Sequence, residues 1–272
     1  MRANRSQEYS GQIASGMNIN QTKAKLKAGE LVTGCFLRHP DPGLAEVLGF
    51  MGWDYLLFDG EHSPLSPREC EHLARVCELT GVTSVVRVPT NVPWMIAQVL
   101  DAGIESVQVP MIESGEQART LARATKYPPV GTRGLATTRA AKYGQALPFS
   151  IAGHVASSNA ETLVIAQIET PAGIEQLPAI LQVPEIDVIF IGPNDLSLSL
   201  GVPGEFGHPK VQQAFDTIIS AVKKTDKALG VLVPNIEAAL EWQRKGARYI
   251  VVVMEAILAP AVRGFLKTIR AG

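Results

Sequence analysis

Eight short apolar runs, each followed by a longer amphipathic stretch, constrain this chain more than any other feature. The runs are Leu31–Leu37, Tyr55–Phe58, Ser84–Val88, Ser106–Val109, Leu163–Ile168, Val188–Ile191, Ala228–Val233 and Tyr249–Val253. They are rich in Val, Ile and Leu, the pattern of strands buried on both faces of a parallel sheet. Helical spacing follows over Arg68–Leu79, Pro93–Ala102, Gly115–Thr125, Gly173–Leu181, Pro209–Lys223 and Ile236–Lys245, and a first helix is expected over Asn20–Lys27. Eight such units are the count of a closed (β/α)8 barrel, and 272 residues suit a single domain of that kind. A doubly wound sheet is the rival, but no strand leads into a G-x-G-x-x-G turn. Gly201, Gly204 and Gly207 form a spaced glycine set, yet they follow a helix.

The ends of the chain and one connection depart from the rhythm. Residues 1–16 are polar and aperiodic, so a disordered tail is expected there, with Met17 a candidate natural start and 17–272 the barrel domain. The segment Lys126–Glu161 is long for a barrel connection and is expected as a structured insertion over the active-site face.

Several function classes are disfavoured at this level. A net charge of −1 provides no basic field for nucleic acid or an anionic membrane. The longest apolar candidate, Tyr249–Val262, is interrupted by Glu255 and Pro260, too short and broken to span a bilayer. Arg2 and Arg5 are not followed by the apolar segment of a secretory signal. The three cysteines lack metal-type spacing, and Cys70 and Cys77 fall on one helix face, as for core packing. The expected location is the cytoplasm.

Barrel active sites are assembled at the C-terminal ends of strands, and the polar residues gather there. The second run leads into Asp59-Gly60-Glu61-His62, the third contains Arg87, the fifth ends Gln167-Ile168-Glu169, and the sixth leads into Gly192-Pro193-Asn194-Asp195. Glu169 and Asp195 are one βα unit apart, hence on neighbouring strands roughly 4.8 Å from each other. Two carboxylates at that separation can share a hard cation such as Mg²⁺ or Mn²⁺; no His or Cys joins them to make a zinc site. Each residue also has a plainer reading. Asp195 and Glu169 are placed to cap helices, Arg87 to sit in a structural ion pair, and His62 to be a loop residue. All of these plain readings must hold at once on one face for the site to vanish.

With these residues in view, the chain resembles the HpcH/HpaI family of class II pyruvate aldolases from about Lys25 to about Gly264. The segments that carry the resemblance are Phe58-Asp59-Gly60-Glu61-His62, Val85-Val86-Arg87, Val109-Pro110-Met111-Ile112-Glu113, Tyr127-Pro128-Pro129-Val130-Gly131-Thr132-Arg133-Gly134, Gln167-Ile168-Glu169 and Ile191-Gly192-Pro193-Asn194-Asp195-Leu196-Ser197. The resemblance implies that Glu169 and Asp195 hold a divalent metal, Mg²⁺ or Mn²⁺ with Co²⁺ a further candidate. It implies that Arg87 stabilises the pyruvate enolate, that His62 transfers protons, and that Asp101 orients the histidine, across a subunit interface. Gln167 and the Gly192-Pro193-Asn194 turn would position the substrate carboxylate, and Asp59 and Glu61 would tie down metal-bound waters. Phe36 stands where the family carries an aromatic residue, whereas Arg38 and His39 after it are unusual and bear on which aldehyde is accepted. A homohexamer that exchanges terminal helices is implied too.

The residues suit this chemistry on their own terms. Retro-aldol cleavage puts negative charge on the former keto oxygen, where a divalent cation and a guanidinium act most strongly in the transition state. Histidine is suited to taking the hydroxyl proton near neutral pH. The rival Schiff-base strategy needs a lysine on a strand end, and Lys126, Lys142, Lys210, Lys223 and Lys224 all fall in helices or loops. The expected activity is therefore a metal-dependent aldolase acting on pyruvate plus an aldehyde, or on the 4-hydroxy-2-oxoacid adduct. The alternatives are another enolpyruvate enzyme on the same scaffold, an oxaloacetate decarboxylase or enolate-coupling lyase or synthase, and, more remotely, a non-catalytic barrel that binds a small acid.

Overall fold

The computed structural model describes residues 19–271, so the expected tail over 1–16 lies outside the described residues. Eight parallel strands close on one another in sequence order. They are β1 (Val32–Leu37), β2 (Tyr55–Asp59), β3 (Thr83–Arg87), β4 (Ser106–Val109), β5 (Leu163–Ile168), β6 (Val188–Ile191), β7 (Ala228–Val233) and β8 (Ala247–Val253), with β8 pairing back onto β1. Every expected strand is present. Around them run α1 (Gln21–Lys27), α2 (Pro42–Gly49), α3 (Pro67–Thr80), α4 (Pro93–Asp101), α5 (Gly115–Thr125), α6 (Ile151–Glu161), α7 (Pro171–Glu175), α8 (Leu177–Leu181), α9 (Pro193–Ser199), α10 (Pro209–Val222), α11 (Ile236–Lys245) and α12 (Met254–Ala271). No helix among the described residues is long and apolar enough to cross a membrane.

Alternation along each strand separates two cores. Val86 and Val107 point outward into the layer packed by helices, while Tyr55, Leu57, Val85, Ile165, Phe190 and Tyr249 fill the barrel. Inside, the rings of Tyr55 and Tyr249 stack with centroids 4.2 Å apart. Gly34 leaves them room, since a Cβ there would collide with the Tyr55 ring. Cys70 and Cys77 are buried in the outer core as free thiols, as their spacing implied.

Local signals set the helix ends. Ser66 and Glu69 form a reciprocal capping box at the start of α3, and Gly81 ends that helix in the left-handed region at φ 73°. The stretch expected as one helix over Gly173–Leu181 is two, α7 and α8, because Pro178 has no N–H to continue the first.

Helix α1 lies across the N-terminal mouth, with Leu26 entering the inner core. Its Lys23 Nζ donates to Thr162 O (2.8 Å) and to the Asp187 carboxylate (3.0 Å). Lys126 Nζ also reaches Thr162 O, at 3.0 Å, and burial, with Lys23 beside it, pulls that amine down to about 7. The long insertion is a correction to the sequence reading. It follows helix α5, not a strand, so it starts at the N-terminal face; Arg139 within it ion-pairs with Glu78 and donates to Ala102 O. None of its residues lines the cavity at the C-terminal mouth.

Candidate active site

At the C-terminal mouth the inward positions of the strands turn polar and enclose a cavity of about 330 Å³. Its lining includes Phe36, Arg38, Asp59, His62, Arg87, Gln108, Gln167, Gly192, Pro193, Asn194 and Asp195, with Leu232 and Val253 as apolar wall. Strand register explains the gathering. Asp59 pairs with Arg87 across β2 and β3, and Arg87 with Gln108 across β3 and β4, so three inward side chains share one layer. The lining contains no lysine.

Neither carboxylate of the expected metal pair is spent on capping. The cap of α7 is Thr170, whose hydroxyl accepts from Gly173 N, while Glu169 turns inward. Its Oε1 accepts from Met111 N at 2.9 Å and its Oε2 from Gln167 Nε2 at 2.5 Å. The cap of α9 is Gly192, and Asp195 stands in that helix's first turn. Burial pushes the Glu169 carboxyl from 4.5 to about 7; the Gln167 and Met111 hydrogen bonds oppose this, and the charges of Asp195 and Glu61 add to it. Gly192 is required here, because a Cβ would run into Glu169 Oε2 and crowd Gln167.

Arg87 is buried and held at two points, Nε to Asp59 Oδ1 at 3.0 Å and Nη2 to Asp59 Oδ2 at 2.9 Å. Its Nη1 lies 3.0 Å from Glu61 Oε2, off the hydrogen-bonding direction, so that contact is an ion pair only. The guanidinium also stacks over Phe36, 4.9 Å from the ring centroid. Thus the plain reading of Arg87 as an ion-paired residue is realised, at a position that lines the cavity. Asp59 and Glu61, expected to tie down metal-bound waters, have Arg87 as their protein partner. Asp59 Oδ1 further accepts from the backbone N–H of Glu61 and His62, which shapes the loop that carries the histidine. The Glu61 carboxyl is raised above 4.5, chiefly by burial and against the pull of Arg87 and His62.

His62 is exposed at the rim, 3.9 Å from Glu61 Oε2. Asp101 is not brought to it within one chain: at the end of α4 it pairs with Arg133 Nη2 at 2.5 Å, and it is absent from the cavity lining. Arg38 stands at the rim, its Nη2 3.0 Å from Glu255 at the start of α12.

Gln108 is the residue that the motif search missed. Its signal was present, a long polar side chain between two valines, as for Arg87. In the structure Gln108 Nε2 donates to Gln167 Oε1 at 2.5 Å.

Known proteins resemble this chain over most of its length. A model of the family described as HpcH/HpaI aldolase/citrate lyase matches residues 32–259. A hydroxypyruvate/pyruvate aldolase of Roseobacter denitrificans is 38% identical over 242 residues, covering 87% of this chain and 91% of that protein. A 2-keto-3-deoxy-L-rhamnonate aldolase of Klebsiella pneumoniae is 36% identical over 244 residues, 88% of each chain. The crystal structure of a family protein from Burkholderia cenocepacia superimposes with a TM-score of 0.87 at 32% identity, covering 92% of this chain and 99% of that one.

Proposed function

This chain belongs to the HpcH/HpaI aldolase/citrate lyase family, and on that premise we propose that it is a carbon–carbon lyase of the pyruvate aldolase type with Glu169 and Asp195 as its metal ligands. The observation that carries the reading is a cavity lined by Asp195 and the braced Arg87 and by no lysine, with the buried Glu169 carboxylate directly behind its Gln167 and Gly192 wall. A cation fits the donors present. Both are hard oxygens, and a positive charge beside them would offset the burial, and the smaller repulsion from Asp195, that raise Glu169. No three His, Cys, Asp or Glu side chains among the described residues cluster as a metal site, so water and substrate complete the shell. Such a donor set favours Mg²⁺ or Mn²⁺, with Co²⁺ acceptable. When bound, the ion polarises the 2-oxo group and offsets the negative charge that develops on it.

The chain's own residues do the rest. Arg87, unable to swing away from Asp59, keeps a second positive charge in the cavity at no reorganisation cost during reaction. In cleavage His62 takes the C4 hydroxyl proton, the C3–C4 bond breaks, the aldehyde departs, and C3 is protonated to give pyruvate. Gln167 and the backbone turn at Gly192, Pro193 and Asn194 hold the substrate carboxylate, and Phe36, Leu232 and Val253 wall off water. Asp101 serves His62 only in an oligomer that brings a neighbouring copy's α4 to the cavity.

An oligomer is supported by α12. None of its residues is buried, and Ile257, Leu258, Val262, Phe265 and Ile269 are 45–67% exposed. Between β8, β1, α11 and the first turns of α12 itself, where a barrel's eighth helix packs, an apolar groove of about 520 Å³ stands open. A second copy's α12 is the matching occupant, and a homohexamer built by such exchange is the assembly we propose.

The test is pyruvate release from 4-hydroxy-2-oxoacids and from oxaloacetate, with EDTA and with added Mg²⁺, Mn²⁺ or Co²⁺. Cleavage of the hydroxy-oxoacids only with metal is the expected result. Release from oxaloacetate alone would make the protein a decarboxylase, and full activity after metal removal, or in Glu169→Ala or Asp195→Ala, would refute the metal assignment.

A further inference from the structure

The amides of Gln108 and Gln167 and the carboxylate of Glu169 form a relay whose direction is set at one end. An ionised carboxylate only accepts, so Gln167 must turn its NH2 toward Glu169 Oε2. Its carbonyl oxygen then faces β4 and needs a donor, which Gln108 Nε2 supplies at 2.5 Å. The relay ends at Gln108 Oε1, which is sealed from solvent and has no hydrogen-bond partner. A side chain chosen for packing alone would leave no such atom, since an apolar residue of similar length fills the same space without a buried, unpaired acceptor.

We propose that Gln108 is a positioning residue for the metal site, acting through Gln167 to set which way the Gln167 amide points and thereby how Glu169 presents its carboxylate. With the relay in this direction each Glu169 oxygen accepts one hydrogen bond, Oε1 from Met111 N and Oε2 from Gln167. One lone pair on each oxygen stays free for the cation. Without the donor on Gln108, the Gln167 carbonyl oxygen loses its partner, and the amide is no longer braced from behind as it donates to Glu169. The carboxylate then moves off its position, and Gly192, packed against Glu169 Oε2, leaves it little room to do so without losing the metal geometry. This inference rests on the reading of Glu169 as a metal ligand.

Two substitutions separate positioning from packing. Gln108→Met keeps the length and removes the donor. Gln108→Glu keeps the shape but, when ionised, can only accept, so it draws the Gln167 NH2 toward itself and reverses the relay. Mn²⁺ affinity of the EDTA-stripped full chain, from calorimetry and from the electron paramagnetic resonance of free Mn²⁺ at pH 8, is the readout. We expect Gln108→Met to bind Mn²⁺ about tenfold more weakly, the lower end for loss of a residue behind a metal ligand. Gln108→Glu is expected to be at least as weak, although its added negative charge by itself would tighten a cation. That opposition of sign is what a packing role does not produce. Either variant within twofold of the wild type, or tighter binding by Gln108→Glu, overturns the inference. Should the wild type bind no Mn²⁺, or Glu169→Ala bind it equally well, the metal assignment itself fails, whatever the Gln108 variants do.

Discussion

Burial holds a proton on Glu169 up to a pH of about 7, against 4.5 for a free carboxyl, and this makes metal-free stability depend on pH in a direction that can be worked out. Below pH 4.5 the group is protonated in both folded and unfolded chains and the full stability is present. As pH rises from there toward 7, the unfolded chain gives up the proton while the folded one keeps it, so the folded state loses ground. Above 7 both are ionised and the loss is complete. At about 1.4 kcal/mol for each tenfold change in proton affinity, the interval between 4.5 and about 7 amounts to about 3 kcal/mol. Glu169→Gln removes this contribution. The new amide offers one acceptor to two donors, Met111 N and Gln167 Nε2, and the donor left over costs about 1–3 kcal/mol at every pH. That offset is constant, and Glu105, also pushed up to about 7 by burial, is common to both proteins. Urea unfolding in EDTA at fixed protein concentration, from pH 4.5 to 8, should therefore show the stability of the variant rising relative to wild type by about 3 kcal/mol across the range. Saturating Mg²⁺ should erase the trend in the wild type and leave the variant unchanged. Parallel curves in EDTA would mean that Glu169 carries no charge strain, and the argument for a cation drawn from it would fall.

Other substitutions probe the remaining parts. Arg87→Ala should lower kcat by about 10² or more while leaving Mn²⁺ affinity within a few-fold, since a transition-state donor is removed and no ligand is; near-normal turnover would assign the charge stabilisation elsewhere. Gly192→Ala should weaken metal binding at least tenfold, because its Cβ displaces the Glu169 carboxylate; calorimetry showing unchanged affinity would contradict the packing described. Phe265→Asp on the exposed apolar face of α12 should shift the sedimentation profile toward smaller species, and an unchanged profile would place the interface elsewhere.

The barrel was legible because a sheet covered on both faces must be apolar along its whole length, which marks each strand as a run. Boundaries were less so: β8 begins at Ala247, two residues before the expected Tyr249, because the half-buried Arg248 interrupts the apolar signal at a bulge opposite Leu229 and Gly230 of β7. Helix α2 carries Pro42, Gly43 and Gly49 among its eight residues, a composition that reads as a turn. At the site, acids and Arg87 stood out as polar groups at strand ends. Their partners did not, since sequence spacing says nothing about which way a side chain turns. Within the chain Asp59 braces Arg87 and Asp101 binds Arg133, contacts that no spacing announces, and the link from Gln108 to Glu169 passes through a hydrogen bond between two strands.

The open groove beside β8 has a consequence for how such a protein lives in solution. If another copy's helix fills it, the last wall of each barrel is a bimolecular interaction, and its strength follows mass action. Dilution then acts as a denaturant: the melting temperature should fall as protein concentration falls, and a subunit made in small amounts would be the one least able to complete its own core.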